Sequence, residues 1–174
     1  MNNFEIKIVK YFQEFGKGKL DFFTAVVSSV PVLAAFWISL TILLVWFFPE
    51  QRNDFLIRVM IVAILHFSIS EGFFKYILPK FIKIRRRPYV EFPEIIKPIG
   101  HQFSDGSIPS SHMTSTVAML LVICSIFPAL VWPSIFLALF MSFARIHNGM
   151  HYPSDVIVGI ILGMVYALIS IRLF

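Results

Sequence analysis

Apolar residues gather into five runs, roughly 22–48, 55–79, 111–127, 129–147 and 154–174, with polar residues crowded between them. A helix needs ~20 residues to cross a ~30 Å hydrocarbon core, so these runs are expected to be membrane spans. Residues 3–16 follow a different pattern: Phe4, Ile8, Tyr11, Phe12 and Phe15 recur at helical spacing, with Lys7, Lys10 and Glu14 on the remaining surface. That spacing predicts an interfacial helix lying on the bilayer, ended by Gly16 and Gly18. Pro31 falls inside the first span and is expected to kink it. The expected fold class is all-α: a polytopic membrane helical bundle of about five transmembrane helices plus an N-terminal interfacial amphipathic helix. Residues 1–174 are expected to form one domain.

Composition agrees with this pattern. The chain is 57% hydrophobic and 14% charged, with 20 Phe, which excludes an ordinary soluble domain. Its charged opening lacks the short apolar core and small-residue cleavage site of a signal peptide, so the first span is expected to be retained. The one cysteine, Cys124, lies in an apolar run and reads as a small core residue. Fifteen Lys and Arg against ten Asp and Glu suggest anionic surroundings, either acidic lipid head groups or a phosphorylated substrate. The partners expected are the bilayer and a phosphorylated membrane lipid, with no nucleic acid and no obligate protein partner.

Polar residues inside the runs need a reason to be there. In the second run, Glu71 and Lys75 stand four apart in the favourable order and read as an intrahelical pair. His66 reads as an interior histidine with a satisfied hydrogen bond. Residues 80–110 are too charged and too rich in proline to cross a membrane and form the one sizeable loop. With five spans, that loop lies on the same side as the stretch Arg145–Asp155.

Three polar clusters therefore meet at one membrane face: Lys80, Arg87 and Pro88; Ser110, Ser111 and His112; and Arg145, His151 and Asp155. Taken singly, each has a bland reading, as a snorkelling cation, a helix cap or an interfacial charge pair. Taken together they make a phosphate site. Lys80, Arg87 and Arg145 supply cations, Ser110 and Ser111 open a helix whose free N–H groups face the loop, and the imidazoles supply a nucleophile and an acid. His151 and Asp155 are four apart, so the carboxylate is expected to fold back onto one imidazole nitrogen and fix its tautomer. Lys83, Arg85 and Arg86 are candidates for extra head-group contacts or solvated interfacial charges. This chemistry calls for no metal and no cofactor. A channel or transporter is the alternative from another class, but the candidate residues cluster at one face rather than stepping through the midplane.

At these residues the chain resembles the type 2 phosphatidic acid phosphatase superfamily. Lys80, Arg87 and Pro88 match its first motif; Pro109, Ser110, Ser111 and His112 match the second, with Ser111 replacing a glycine. Arg145, His151 and Asp155 match the third, with Ala144 where a serine is usual. The resemblance implies that His151 forms a phosphohistidine, Asp155 orients it, and His112 protonates the leaving group. It further implies that Lys80, Arg87 and Arg145 bind phosphoryl oxygens. Among compact bacterial members, the lipid A 1-phosphatases are the first expectation for substrate, followed by undecaprenyl pyrophosphate and phosphatidylglycerophosphate phosphatases. The implied location is the bacterial inner (cytoplasmic) membrane with the site facing the periplasm, although the lysine and arginine bias of the site face points to the cytoplasm.

Overall fold

The structure, a computed structural model, describes residues 3–173. They form α1 (Asn3–Phe15), α2 (Asp21–Val27), α3 (Val30–Phe47), α4 (Arg52–Leu65), α5 (Pro88–Glu91), α6 (Ser111–Ile126), α7 (Val131–His147) and α8 (Pro153–Leu173). Between α4 and α5 the helix continues as a π-helical stretch, His66–Ile77, and a 3-10 turn, Leu78–Lys80. No strand occurs among the described residues, in agreement with the all-α expectation.

Among the described residues, four stretches are long and apolar enough to cross a membrane: Val30–Phe47, Arg52–Lys80, Pro128–His147 and Pro153–Leu173. The expected span 111–127 is instead the shorter α6, whose 16 residues reach about 24 Å at 1.5 Å each. Helix α6 occupies the centre of the bundle, with Met113, Val117, Leu120 and Ile123 among ten buried side chains. The first expected span also divides. Ser29 takes an extended conformation, φ −75° and ψ 127°, and Pro31 sits in the first turn of a fresh helix, so the kink is a break between α2 and α3.

Helices α6 and α8 approach closely because Gly159 and Gly163 face α6. A Cβ on Gly159 would lie 2.7 Å from Ser110 O, and one on Gly163 would lie 2.7 Å from Thr114 O. Small residues four apart let helix backbones touch where lipid supplies no hydrophobic drive. Several polar groups inside the bundle are paired: Arg58 bonds Asp54 Oδ1 at 3.0 Å and Ser125 Oγ at 2.9 Å, and Ser70 Oγ meets Tyr166 Oη at 3.0 Å.

Helix α1 is not simply laid on a membrane surface. Val9 is fully buried against the same core as Tyr89, Ile96 and Met150, while Phe4, Tyr11 and Phe15 remain 65%, 65% and 70% exposed. One face thus docks on the protein and the other stays apolar and open. The docked face carries Gln13, whose Nε2 donates to Lys97 O at 2.6 Å and to His147 O at 3.2 Å.

Candidate active site

The site forms where the N-terminus of α6, the C-terminus of α7, the start of α8 and the loop after Lys80 converge. The turn after α7 sets its geometry. Gly149 has φ 70°, and a Cβ there would lie 2.5 Å from Ile96 Cγ2. Glycine alone satisfies both demands, and the chain reverses at once to place His151 beside Arg145. Gly149 O accepts from Tyr89 N at 3.3 Å, and Asn148 O from Ile99 N at 3.2 Å, which ties the turn to the loop.

His151 is 1% exposed. Its Nδ1 lies 2.6 Å from Ser107 O, so Nδ1 carries the proton and donates it to that carbonyl. Nε2 is left with its lone pair, 3.2 Å from both Arg87 Nη1 and Arg145 Nη2. Burial, with Arg145 and Arg87 alongside, holds the His151 pKa well below the ordinary 6.5. The imidazole is therefore neutral at physiological pH, with a nucleophilic nitrogen aimed at two guanidinium groups.

The expected bond from Asp155 to His151 is replaced by a longer connection. Asp155 Oδ2 accepts from the Ser107 hydroxyl in a short hydrogen bond and from Tyr152 N at 2.8 Å. Ser107 then holds His151 through its own backbone carbonyl. Pro153 starts α8 with Asp155 in its first turn, and this brings the carboxylate back over the preceding turn, where it meets Ser107 rather than the imidazole. Asp155 thus reaches His151 only by way of Ser107, which sequence reasoning passed over. No local pattern marks Ser107; only the loop's return to α8 reveals it.

Arg85 also differs from expectation. It donates to Asp155 Oδ1 at 2.9 Å, to Ser154 Oγ at 2.7 Å and to Glu5 Oε2 at 2.7 Å, and stacks 3.7 Å over the Tyr152 ring. Burial alone would lower its pKa, but Asp155 and Glu5 outweigh this and raise it. With three of its N–H donors on protein groups and no place in the cavity lining, Arg85 clamps Asp155, Ser154 and Glu5 together. Lys83 and Arg86 are exposed. Lys80 is exposed at the end of its 3-10 turn and does not line the site, because the helix stops there and residues 81–87 run on without helical structure. Lys75 lines it instead.

His112 lies in the first turn of α6 and bonds Ser28 O through Nε2 at 2.9 Å, leaving Nδ1 to exchange a proton. Ser110 occupies the N-cap position, but its hydroxyl caps nothing; its N–H donates to Asp155 O at 3.2 Å. Among the described residues, Ser111 Oγ and Arg145 Nε are buried without a hydrogen-bond partner. Buried donors without partners are costly, and both line the same cavity as the imidazoles.

That cavity holds about 520 Å³. Its polar end is formed by Arg87, Ser111, His112, Arg145 and His151, and its long apolar wall by residues of α3 and α4 such as Leu33, Trp37, Ile38, Val59 and Val62. A phosphate-sized polar end continues into a slot suited to hydrocarbon. Phe103 roofs the polar end, with the Arg87 and Arg145 guanidinium carbons 5.0 and 5.8 Å from its ring centre.

The sequence profile of the PAP2 superfamily matches residues 55–174, which contain Arg87, Ser111, His112, Arg145 and His151. This chain belongs to the PAP2 superfamily. It is, with that family, a membrane lipid phosphatase. It is 26% identical over 167 residues to the bacitracin transport permease protein BcrC of Bacillus licheniformis, covering 94% of this chain and 77% of that one. It is also 29% identical over 141 residues to an undecaprenyl-diphosphatase of Sulfolobus acidocaldarius, covering 79% of this chain and 63% of that relative's length. Among solved structures, Aquifex aeolicus LpxE superposes with a TM-score of 0.70 at 21% identity, covering 98% of this chain and 96% of the other. A PAP2-type phosphatidylglycerolphosphate phosphatase from Bacillus subtilis superposes with a TM-score of 0.65 at 15% identity, covering 97% and 83%. These two likenesses show the shared transmembrane fold.

Proposed function

We propose that this chain removes the terminal phosphate of a polyprenyl diphosphate through a phosphohistidine. The observation that carries this reading is that one continuous cavity is cationic at His151 and apolar along α3 and α4. One long hydrocarbon chain fits one slot, whereas a multi-chain lipid must splay its other chains over the outer faces of the bundle. The undecaprenyl-diphosphatase relative supports the same substrate class.

In the first step, the His151 Nε2 lone pair attacks the terminal phosphorus and the bond to the bridging oxygen breaks. Arg87, Arg145 and the Ser111 hydroxyl bind the phosphoryl oxygens, whose charge increases in the transition state. The negative charge of the bound diphosphate holds a second proton on His112, at Nδ1, and His112 passes it to the departing lipid phosphate. In the second step, His112 takes a proton from water, the water attacks phosphorus, and the P–N bond breaks to release orthophosphate and restore His151. The guanidinium groups supply the positive charge, so activity is expected to survive chelators.

The second reading is lipid A 1-phosphatase, favoured by the superposition on LpxE over nearly the whole of both chains. The test is orthophosphate release by the purified protein from undecaprenyl diphosphate, lipid A and phosphatidylglycerophosphate at equal molar fraction in detergent, with and without EDTA. The highest kcat/KM is expected on the polyprenyl diphosphate, unaltered by EDTA. A higher value on lipid A moves the assignment to the second reading, and no release from any of the three rejects the hydrolase.

A further inference from the structure

One acid and one base beside the site have no role in the reaction above. Asp105 lies in the loop ahead of α6 and bonds two cations at once: Lys75 Nζ is 3.0 Å from Asp105 Oδ2, and Arg87 Nη2 bonds Asp105 Oδ1. Arg87 is tied to the same residue a second time, through Nε to Asp105 O at 3.2 Å. Its Nη1 is the donor that faces His151 Nε2 at 3.2 Å. Lys75 in turn keeps a second carboxylate, Glu71 Oε2, at 2.7 Å. Lys75, Glu71, Arg87 and His151 all line the cavity, and Asp105 is not among its lining residues.

Lys75 reaches this position because of the π-helical stretch, in which hydrogen bonds run from i to i+5. His66 and Glu71, five apart, meet at 3.9 Å, and Lys75 follows at the end of the series, level with Arg87. His66 Nδ1 is buried without a hydrogen-bond partner and Nε2 has only the 3.9 Å approach of Glu71, which is too long for a hydrogen bond, so the expected satisfied histidine is not found. Meanwhile Lys80, the residue that the linear spacing pairs with Arg87, stands outside the cavity.

We propose that Lys75 is the third cation of the phosphoryl site and that Asp105 is its built-in competitor, a carboxylate that bridges Lys75 and Arg87 until a phosphoryl group displaces it. The two oxygens of Asp105 occupy bonding positions on two cations 3.0 Å or less away, the arrangement that two phosphoryl oxygens take on the same pair. Glu71 keeps Lys75 in place when Asp105 lets go. Burial would raise the Asp105 pKa, but Arg87 and Lys75 outweigh it and lower it, so the carboxylate is ionised at neutral pH. The competition favours ligands bearing more than one negative charge, because a weakly charged ester cannot match a carboxylate held between two cations. The inference rests on the phosphoryl site proposed above but not on the identity of the lipid.

The test uses the full-length protein in detergent, with p-nitrophenyl phosphate as substrate and orthophosphate as competitive inhibitor, so that it is independent of the lipid assignment. Lys75→Gln is expected to raise the orthophosphate inhibition constant roughly tenfold, the scale of one charge-assisted hydrogen bond, with Lys75→Arg recovering most of it. Asp105→Asn, which keeps the shape and removes the charge, is expected to lower that constant several-fold. Lys80→Gln is expected to leave it where it is in the parent. The proposal is overturned if Lys75→Gln retains the parental constant while its thermal midpoint shows it folded, or if Lys80→Gln loses as much affinity as Lys75→Gln. Weaker inhibition in Asp105→Asn overturns the competitor role. Absence of p-nitrophenyl phosphate turnover in the parent rejects the hydrolase reading itself.

Discussion

At the scale of single residues, the site is a neutral imidazole among cations. That has a consequence for pH. A histidine with an ordinary pKa near 6.5 would lose its nucleophilic lone pair through the acid side of neutrality. His151 is held well below that value by burial first and by Arg145 and Arg87 next. The acid limb of kcat/KM on p-nitrophenyl phosphate is therefore expected below pH 6.5. Stability falls in the same direction but from a higher pH: below pH 6.5 the unfolded imidazole takes up a proton that the folded one refuses, so the folded state loses stability as pH falls. A limb centred at or above 6.5 would show that the nucleophile titrates as an open histidine. The sequence marks His151, His112, Arg87 and Arg145 because their spacing carries chemistry, and the fold brings all four to one cavity. Ser107 and Lys75 were not, because their roles depend on how a loop returns to α8 and on a π-helical register that no apolar periodicity signals. Arg85 was legible as a cation but misread in role, since its partner Glu5 lies 80 residues away.

At the scale of elements, the apolar runs gave the helices, while their lengths and breaks came from packing. Helix α6 is too short to span about 30 Å, yet it is sheathed by its neighbours and its N-terminus carries His112 into the site. Its depth is fixed by α8, where Gly159 and Gly163 leave no room for side chains. A valine at position 163 would place its Cβ 2.7 Å from Thr114 O and 2.8 Å from Val117 Cβ, both on a neighbouring helix that cannot yield locally. Gly163→Val is expected to destabilise the protein by at least the ~1–3 kcal/mol typical of overpacking. Gly159→Ala presses on Ser110 O at 2.7 Å and so on the start of α6 beside His112. It is expected to lower kcat more than it lowers the thermal midpoint. Thermal unfolding in detergent and turnover on p-nitrophenyl phosphate separate the two effects, and a Gly163→Val protein as stable as the parent would mean that the helices are not in tight contact.

At the scale of the whole molecule, the N-terminal helix reads differently from its sequence. Its aromatic face suggested a helix resting on the bilayer, and that face is indeed open. Its other face straps the site from behind. His147 is held by Phe12 O at 2.8 Å and by Asp21 Oδ1 at 3.0 Å, while Glu5 accepts from Ser154 N at 3.0 Å and from Arg85 Nη2 at 2.7 Å. The line Glu5–Arg85–Asp155–Ser107–His151 thus runs from the amphipathic helix to the nucleophile without touching phosphate. Glu5→Gln is therefore expected to lower kcat several-fold and leave KM for p-nitrophenyl phosphate near the parental value. Its stability effect has a defined pH window. Burial would raise the Glu5 pKa, but hydrogen bonds from Ser154 and Arg85 and the Arg85 charge outweigh it, and the folded pKa lies below the ordinary 4.5. A carboxylate with a depressed pKa contributes stability above its unfolded pKa and loses it as pH falls through the folded value. The gap in thermal midpoint between parent and Glu5→Gln should therefore be full near pH 7 and close as the pH drops below about 4.5. A gap that does not vary with pH, or a variant whose KM rises while kcat holds, would show that Glu5 does not position the nucleophile through its charge.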